Sequence, residues 1–519
     1  MFIDWDGQAL PARPGESLLA TLTAAGITTL RHDGQGAAQG AWCGMGACQA
    51  CLVNVDGMPN RRACMVKVAA GMTAAPATER AKLHKMASAP PRRAADLPER
   101  RPDVLVIGAG PAGLSAALVA RRAGLNVLLV DERGSAGGQY YKQPDIAGMP
   151  IDAQATEGAA LIARVQAAGV EILSETTVWG AFAGLEFAAS RGGAAFRIRP
   201  RAVVVATGAQ ETAWPVPGWT LPGVMSTGAA QGLLRTAGRI PPGRIVIAGN
   251  GPLNLQLAAE LLAAGADVAA LVEAAPAPGL GRVGTVARMA AAAPGLVRRG
   301  IAYRARLRRA GVPTLWATQV TSIAAGLEIE TDGGERLAAD MLCLGYGLVP
   351  ETALPRALGA MPGLSTNTMP PGVFIAGDCT TIGGAHVAAA AGTLAGAAAA
   401  RYLGLAADPG EAQARMQRAA AFQAALWRLY APARPLLGHI TPTTIICRCE
   451  GVTAEDIAAA QAAGAYSHAA IKQATRLGMG RCQGRGCVPL LARLSPESVP
   501  VGLAPRAPVR PVTIAELAG

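Results

Sequence analysis

Lysine is almost missing from this chain: five of its 47 basic residues are Lys and the rest are Arg. Aromatic residues make up 4% of the 519 residues and charged residues 16%. No run of about 18 strongly apolar residues exists, and the Ala-rich stretch from Ala388 to Ala400 is too short to span a bilayer. The opening segment MFIDWDGQAL carries Asp4 and Asp6 and no apolar centre, so it does not read as a secretory leader. Basic runs interleaved with aromatics are also missing. That speaks against nucleic-acid recognition despite a net charge of +12, which a solvated Arg-rich surface explains. The expectation is a soluble cytoplasmic protein, associated with membranes only through a partner.

What is present points to several packed domains. Hydrophobic residues reach 51%, with 64 Gly, which suits closely packed α/β cores. At about 100–200 residues per domain the length suggests roughly three or four. In a reducing compartment ten cysteines argue for metal or cluster ligation rather than disulfides. Four lie together as Cys43, Cys48, Cys51 and Cys64, and four as Cys447, Cys449, Cys482 and Cys487. Only Cys343 and Cys379 fall between, and both read as small buried hydrophobes.

The segment DVLVIGAGPAGLSAALVARRAGLNVLLVDE reads as a strand, a glycine turn, a helix and a second strand. Gly108 allows a tight turn, Gly110 lets backbone approach a pyrophosphate, and Gly113 lets the helix pack against the strand. The helix N-terminus favours phosphate. Asp131, 23 residues after Gly108 and followed by Glu132, is placed to bind an adenosine ribose. A second unit, RIVIAGNGPLNLQLAAELLAAGADVAALVE, has Gly249 and Gly251 but Asn254 in place of the third glycine, with Glu273 as its ribose acid. Asn254 would either crowd the helix or reach for a ligand. Three readings of this unit stand: a nicotinamide nucleotide (NAD(P)), another adenine nucleotide, or a structural domain without ligand.

The run DERGSAGGQYYKQP, with Gly137, Gly138 and Gln139, resembles FAD enzymes of the two-dinucleotide-binding-domain class. VVVATGA, with Thr207 and Gly208, and GVFIAGDCTT, with Gly377 and Asp378, resemble that class's later FAD motifs. The resemblance implies that Asp378 binds the ribityl chain and that the next helix points its positive end at the flavin. His386, at that helix start, is a flavin contact or an ordinary histidine. The disulfide reductases of the class carry a redox cysteine pair beside the flavin. No such pair stands here, so a disulfide reductase is not expected.

The spacing Cys43-x4-Cys48-x2-Cys51-x12-Cys64 suits a [2Fe–2S] loop better than zinc, which commonly takes two short Cys pairs. A hairpin across residues 1–16 and a helix across 17–26 are expected before it, as in a β-grasp fold. This module resembles the small ferredoxin-like subunit of bacterial cyanide synthase. The far cluster, Cys447-x-Cys449-x32-Cys482-x4-Cys487, resembles the bacterioferritin-associated ferredoxin-like [2Fe–2S] module, with zinc as the rival. Thr453 and Asp456 make a capping box that opens a helix there. Arg448, Arg476, Arg481 and Arg485 either raise that cluster's potential or form a solvated face.

The expected order is a ferredoxin-like domain over 1–86, a linker over 87–101 and an FAD domain over 102–210 and 339–405. The second nucleotide-type domain spans 211–338, a connecting helix 406–438, and the C-terminal [2Fe–2S] domain 439–519. The whole is an α/β multidomain flavoprotein with Rossmann-like units. It resembles the electron-transfer α-type subunits of cyanide synthase, opine oxidase, D-hydroxyproline dehydrogenase and sarcosine oxidase. The resemblance implies FAD, two [2Fe–2S] clusters, a partner FAD subunit that oxidises an amino acid or N-substituted amino acid, and a downstream acceptor. A stand-alone NAD(P)H-dependent reductase and a non-catalytic scaffold are the alternatives.

Overall fold

Alternating burial over Phe2–Trp5 and Gln8–Pro11 makes an antiparallel hairpin whose turn is Asp6-Gly7, both at positive φ. The computed structural model describes residues 1–33, 36–77, 97–360, 369–495 and 505–518. The hairpin joins Thr73–Pro76, Leu52–Val55 and Met58–Arg62 in a five-stranded sheet. Helix Leu18–Ala24, capped by the Ser17 side chain, buries most of its length against that sheet.

Next comes a parallel sheet in the order Glu171–Leu173, Val127–Val130, Val104–Ile107, Ala202–Val205, Val373–Ile375. Its three inner strands, VLLV, VLVI and AVVV, are buried at every residue, as a sheet covered on both faces requires. Helices Pro111–Arg122 and Ala385–Tyr402 cross on one face with their backbones almost touching. A Cβ on Gly392 would lie 2.0 Å from the Ala112 carbonyl oxygen, and one on Gly396 2.3 Å from that of Ala116. Small residues therefore do the packing that aromatics do elsewhere.

A second parallel sheet runs Val224–Ser226, Met341–Gly345, Arg244–Gly249, Asp267–Glu273, Thr314–Trp316. The expected boundary at 338 is therefore too early: Met341–Gly345 sits inside this second sheet rather than returning to the first. MLCLG is apolar throughout and fits a buried strand of either sheet, so its pattern could not choose. The return is made by Leu348–Pro350, which pairs antiparallel with the outgoing Ala209–Glu211.

Two other boundaries need correction. Glu99–Arg100, placed in the linker, is a strand paired with Arg197–Ile198, and Glu99 accepts from Arg197 at 3.0 Å. Residues 78–96 of that region lie outside the described residues. The C-terminal unit does not run to 519 as one body either. It comprises the hairpin Ile445–Cys447/Val452–Thr453 and helices Ala454–Ala462, His468–Thr475 and Cys487–Leu494, with the Thr453/Asp456 capping box formed. The tail at 505–518 returns to the first nucleotide domain, where the Val509 amide donates to the Trp179 carbonyl at 2.7 Å. Between these parts, helix Ala412–Leu429 lies against helices Val283–Ala292 and Ala385–Tyr402. Among the described residues no helix is long and apolar enough to cross a membrane.

Candidate functional site

The first glycine turn is built from close backbone contacts. Gly108 has φ +104°, and a Cβ there would lie 2.3 Å from the Ala206 carbonyl oxygen. A Cβ on Gly113 would lie 1.7 Å from the Gly108 carbonyl oxygen, so only glycine lets the helix start there. Gly110 differs: its Cβ would meet nothing nearer than the Gly138 Cα at 3.9 Å, and the position opens on a cavity of about 320 Å³. Gly138 approaches that turn from the other side, and the Gly137 amide donates to the Ala109 carbonyl at 2.8 Å.

Two acids stand at the end of the next strand. Asp131 accepts from the Ala109 amide at 2.6 Å and the Arg133 amide at 2.9 Å, and burial raises its pKa. Burial would also raise Glu132, but Arg510 and the neighbouring Arg62 and Arg133 hold it below the usual carboxylate range. On the opposite wall Asp378 accepts from the Gly383 and Gly384 amides at 3.0 and 3.1 Å, just before helix Ala385–Tyr402, and burial raises it. Thr207, Gly208 and Gln139 line the same cavity. Gly377 packs beneath it, where a Cβ would come within 2.9 Å of the Ala112 Cβ.

His386 is not in that lining. It lies on a neighbouring cavity of about 1300 Å³, with its ring 5.8 Å from Tyr140. Four residues that no local motif announced do line the smaller cavity. Arg510, from the C-terminal tail, pairs with Glu351 at 3.1 Å and faces Glu132 at 3.7 Å. Burial would raise Glu351, but Arg510 and Arg485 keep it low. Glu211 accepts from the Gly228 amide at 2.9 Å and from the Ser226 hydroxyl, and burial pushes it up to about 7. Met45, from the first cysteine loop, reaches the cavity wall, where the Gln139 amide meets its sulfur at 3.5 Å. The tail and the two carboxylates are joined only by long-range contacts, so sequence spacing carried no signal for them.

The second glycine turn borders the larger cavity through Asn250 and Gly251, but its own acid takes its amides. The Gly251 amide donates to the Glu273 carboxylate at 3.0 Å, and so does Ala275, also at 3.0 Å. Glu273 is 1% exposed, and burial pushes it up to about 8. Asn254 is equally buried: its amide donates to the Gly345 carbonyl at 2.9 Å and its oxygen accepts from Thr227 at 2.7 Å. It reaches across the sheet, away from any ligand. Its oxygen would lie 2.3 Å from a Cβ on Gly345, and its nitrogen 2.6 Å from one on Gly249, so both neighbours must be glycine. Outside the turn, Asn250 donates to the Tyr430 carbonyl at 3.0 Å, and the Trp427 ring lies 4.0 Å from where a Gly251 Cβ would stand.

Each cysteine cluster is arranged as two sulfur pairs. In the first, Cys48 hydrogen-bonds the Cys43 sulfur and Cys64 that of Cys51, which lowers Cys43 and Cys51 and raises Cys48 and Cys64. Amides aim at these sulfurs from Met45 at 3.4 Å, Gly46 at 3.2 Å, Cys48 at 3.3 Å and Ala50 at 3.4 Å. The second cluster pairs Cys487 with Cys447 and Cys449 with Cys482, one sulfur from each loop in each pair. Among the described residues no three Cys, His, Asp or Glu side chains converge on the point one ion would occupy. Two pairs suit a two-iron centre, with two thiolates on each iron. Amides pointing at sulfur suit an anionic centre for the same reason. Arg485 is buried here and Arg448 half-buried, whereas Arg476 and Arg481 are exposed. Cys343 and Cys379 stay apart, pushed by burial up to about 12 and about 11, so neither thiol is poised to react.

Comparison with known proteins agrees with this layout. Residues 102–392 match the pyridine nucleotide-disulphide oxidoreductase family. Residues 2–79 match a 2Fe-2S iron-sulfur cluster binding domain, and residues 445–494 a BFD-like [2Fe-2S] binding domain. An opine oxidase subunit from Rhizobium meliloti is 35% identical over 80% of this chain and 98% of its own length. Hydrogen cyanide synthase subunit HcnB of Pseudomonas aeruginosa is 28% identical over 79% of this chain and 96% of its own. The fold of L-proline dehydrogenase from P. horikoshii superposes with a TM-score of 0.74 at 21% identity, covering 100% of this chain and 97% of that one. The cofactor complement is FAD and two [2Fe–2S] clusters.

Proposed function

The chain belongs to the pyridine nucleotide-disulphide oxidoreductase family, with a [2Fe–2S] domain before and after that fold, and on that premise we propose that it relays electrons taken from an amino acid or N-substituted amino acid by a partner flavoprotein. Its relatives are named as subunits of opine oxidase and hydrogen cyanide synthase, which supports a hetero-oligomer. The observation that carries the reading is the contrast between the two glycine turns. The first opens on a cavity. The second borders a larger cavity, but its Gly251 amide is taken by Glu273, Asn254 bridges beneath it, and Trp427 and Tyr430 stand beside it. An amide already bonded to Glu273 supports a reading in which the electrons come from a partner rather than from a nicotinamide nucleotide.

In this reading Gly108, Gly110, Gly113 and Gly138 hold the FAD pyrophosphate turn, and Asp131 and Glu132 face the ribose. Thr207, Gly208 and Asp378 line the flavin side. FAD accepts electrons two at a time, and the clusters pass them singly. Met45 puts the first cluster loop on the wall of the flavin cavity. Arg485, beside Cys487, joins the second cluster to Glu351 on that wall, 3.4 Å away. Glu211, a buried carboxyl pushed up to about 7, lies where a proton could accompany flavin reduction.

Stopped-flow mixing of the purified chain with NADH and NADPH tests this. No flavin bleaching is expected within the first second. A co-purified partner plus its amine substrate is expected to reduce the flavins and then both clusters. Bleaching within milliseconds at micromolar NADH would make the chain a stand-alone reductase instead.

A further inference from the structure

Arg448 lies in sequence between two cluster ligands, Cys447 and Cys449, yet its side chain leaves the C-terminal domain. Its Nε donates to the Gln39 side-chain oxygen, and its Nη2 donates to the Gly40 and Thr220 carbonyls, each at 3.1 Å. Gln39 and Gly40 lead directly into Trp42 and Cys43 of the first cluster loop. Trp219 lies 5.8 Å from the guanidinium and meets Trp42 edge-on at 5.1 Å, and its indole N–H donates to the Ile445 carbonyl at 2.8 Å. Three parts of the chain are thus sewn together around one guanidinium.

That guanidinium has no carboxylate partner among the described residues. Its Nη1 is buried without a hydrogen bond. The charges that reach it are the sulfurs of Cys48 and Cys43 from one cluster and of Cys449 from the other, together with the repelling Arg31. An arginine guanidinium remains a cation at neutral pH. Arg31, 7% exposed, donates to the Ala50 carbonyl at 3.4 Å and lies within reach of Cys48 and Cys449 as well as Asp33 and the repelling Arg481. A half-buried and a buried cation near one another need anions facing them. A [2Fe–2S] centre held by four thiolates is an anion in both redox states and gains one negative charge on reduction, so a centre on either side supplies what is missing.

We propose that Arg448 is a counter-charge shared by the two clusters: it raises both reduction potentials together and fixes the two [2Fe–2S] domains against each other. The inference rests on the relay reading and deepens it, because a relay works best when consecutive centres lie at similar potential. A positive charge between two centres stabilises the added electron on whichever holds it, so the pair stays matched while an electron crosses. Arg448 acts through the cysteines' surroundings and is a positioning residue, not a ligand.

The test is an EPR-monitored redox titration of the purified full-length chain. In Arg448→Gln both [2Fe–2S] signals remain, and both midpoint potentials fall by at least a tenfold change in the one-electron equilibrium constant, about 59 mV. Arg448→Lys restores most of the shift because charge, more than hydrogen-bond pattern, sets the effect. If Arg448→Gln does not assemble, Arg31→Gln is the second arm, and it lowers both potentials as well. A fall confined to the C-terminal cluster, or unmoved potentials in the two Gln variants, would overturn the proposal while leaving the relay intact. A wild-type chain lacking one of the two signals would instead break the relay reading itself.

Discussion

The two glycine turns of this chain begin alike and end differently. Each follows a buried strand, each opens a helix with Pro at its first position, and each has an acid at the end of the next strand. At the first, Gly110 faces a cavity, and Asp131, which burial also raises, is followed by Glu132, held charged by Arg510 from the C-terminal tail. At the second, the corresponding amide already bonds Glu273, whose pKa rests at about 8 under burial alone. A dinucleotide fingerprint therefore specifies a fold in both places and a site only where the third residue stays small and the middle glycine's amide stays free. Asn254 marks the difference, since a side chain that bridges Thr227 and Gly345 turns the turn into a strut.

Breaking the third position of each turn should give the largest contrast. Gly113→Ala places a Cβ 1.7 Å from the Gly108 carbonyl oxygen, so the helix must move off the strand. A loss of about 3 kcal/mol in stability is expected, together with loss of FAD, read as the absorbance of protein after gel filtration. Asn254→Ala leaves the Thr227 hydroxyl buried without its partner, at about 1–3 kcal/mol, while the Gly345 carbonyl keeps the Asn250 amide. FAD should stay bound in that variant. Equal FAD loss in both would mean that the second turn supports the flavin site directly.

Much of this was legible in the sequence because glycine turns and cysteine spacings are local. Gly108-x-Gly110-x-x-Gly113 and Cys43-x4-Cys48-x2-Cys51 must each form within one short segment, so their spacing reports their geometry. The hairpin over residues 1–16 and the Thr453/Asp456 cap were readable for the same reason. The cover over the second turn was not. Trp427 and Tyr430 reach Gly251 and Asn250 from more than 170 residues away, and a helix rich in Ala and Arg does not advertise which face it presents. Arg510 in the flavin wall and Arg448 between the clusters are equally distant pairings. An arginine in a basic chain looks like surface until the fold draws it half-buried into a wall.

A pH series sharpens the comparison at the acids. The folded pKa of Glu273 is raised from 4.5 to about 8. Between those values the folded chain keeps a proton that the unfolded chain has released. Its contribution is therefore complete below about pH 4.5 and lost as pH rises towards 8. The loss is on the order of 4 kcal/mol. Glu273→Gln removes that titration, so its apparent melting temperature should fall less between pH 5 and pH 8 than that of the parent chain. Glu132→Gln at the first turn should show no such flattening, because Glu132 is held low and stays ionised across the range. Parallel melting curves for Glu273→Gln and the parent would mean that the acid is solvated, and so free to meet a ribose.

The smallest effect is expected from uncovering the second turn. Trp427 is 39% exposed, so Trp427→Ala should cost only about 1 kcal/mol in stability. It clears the space above Gly251 but changes nothing beneath. The Gly251 amide still bonds Glu273, and Asn254 still bridges to Gly345. A pyrophosphate arriving there would meet a buried carboxyl where it needs a free N–H, and no helix dipole of modest size offsets that. The variant should therefore bind NADH no better than the parent in fluorescence titration, and its flavin should bleach no faster in stopped flow. Millisecond bleaching on removal of this one ring would place the barrier in the aromatic cover and not in the turn. The two glycine units would then differ by what lies over them, with the second an intact nicotinamide site held shut by the connecting helix.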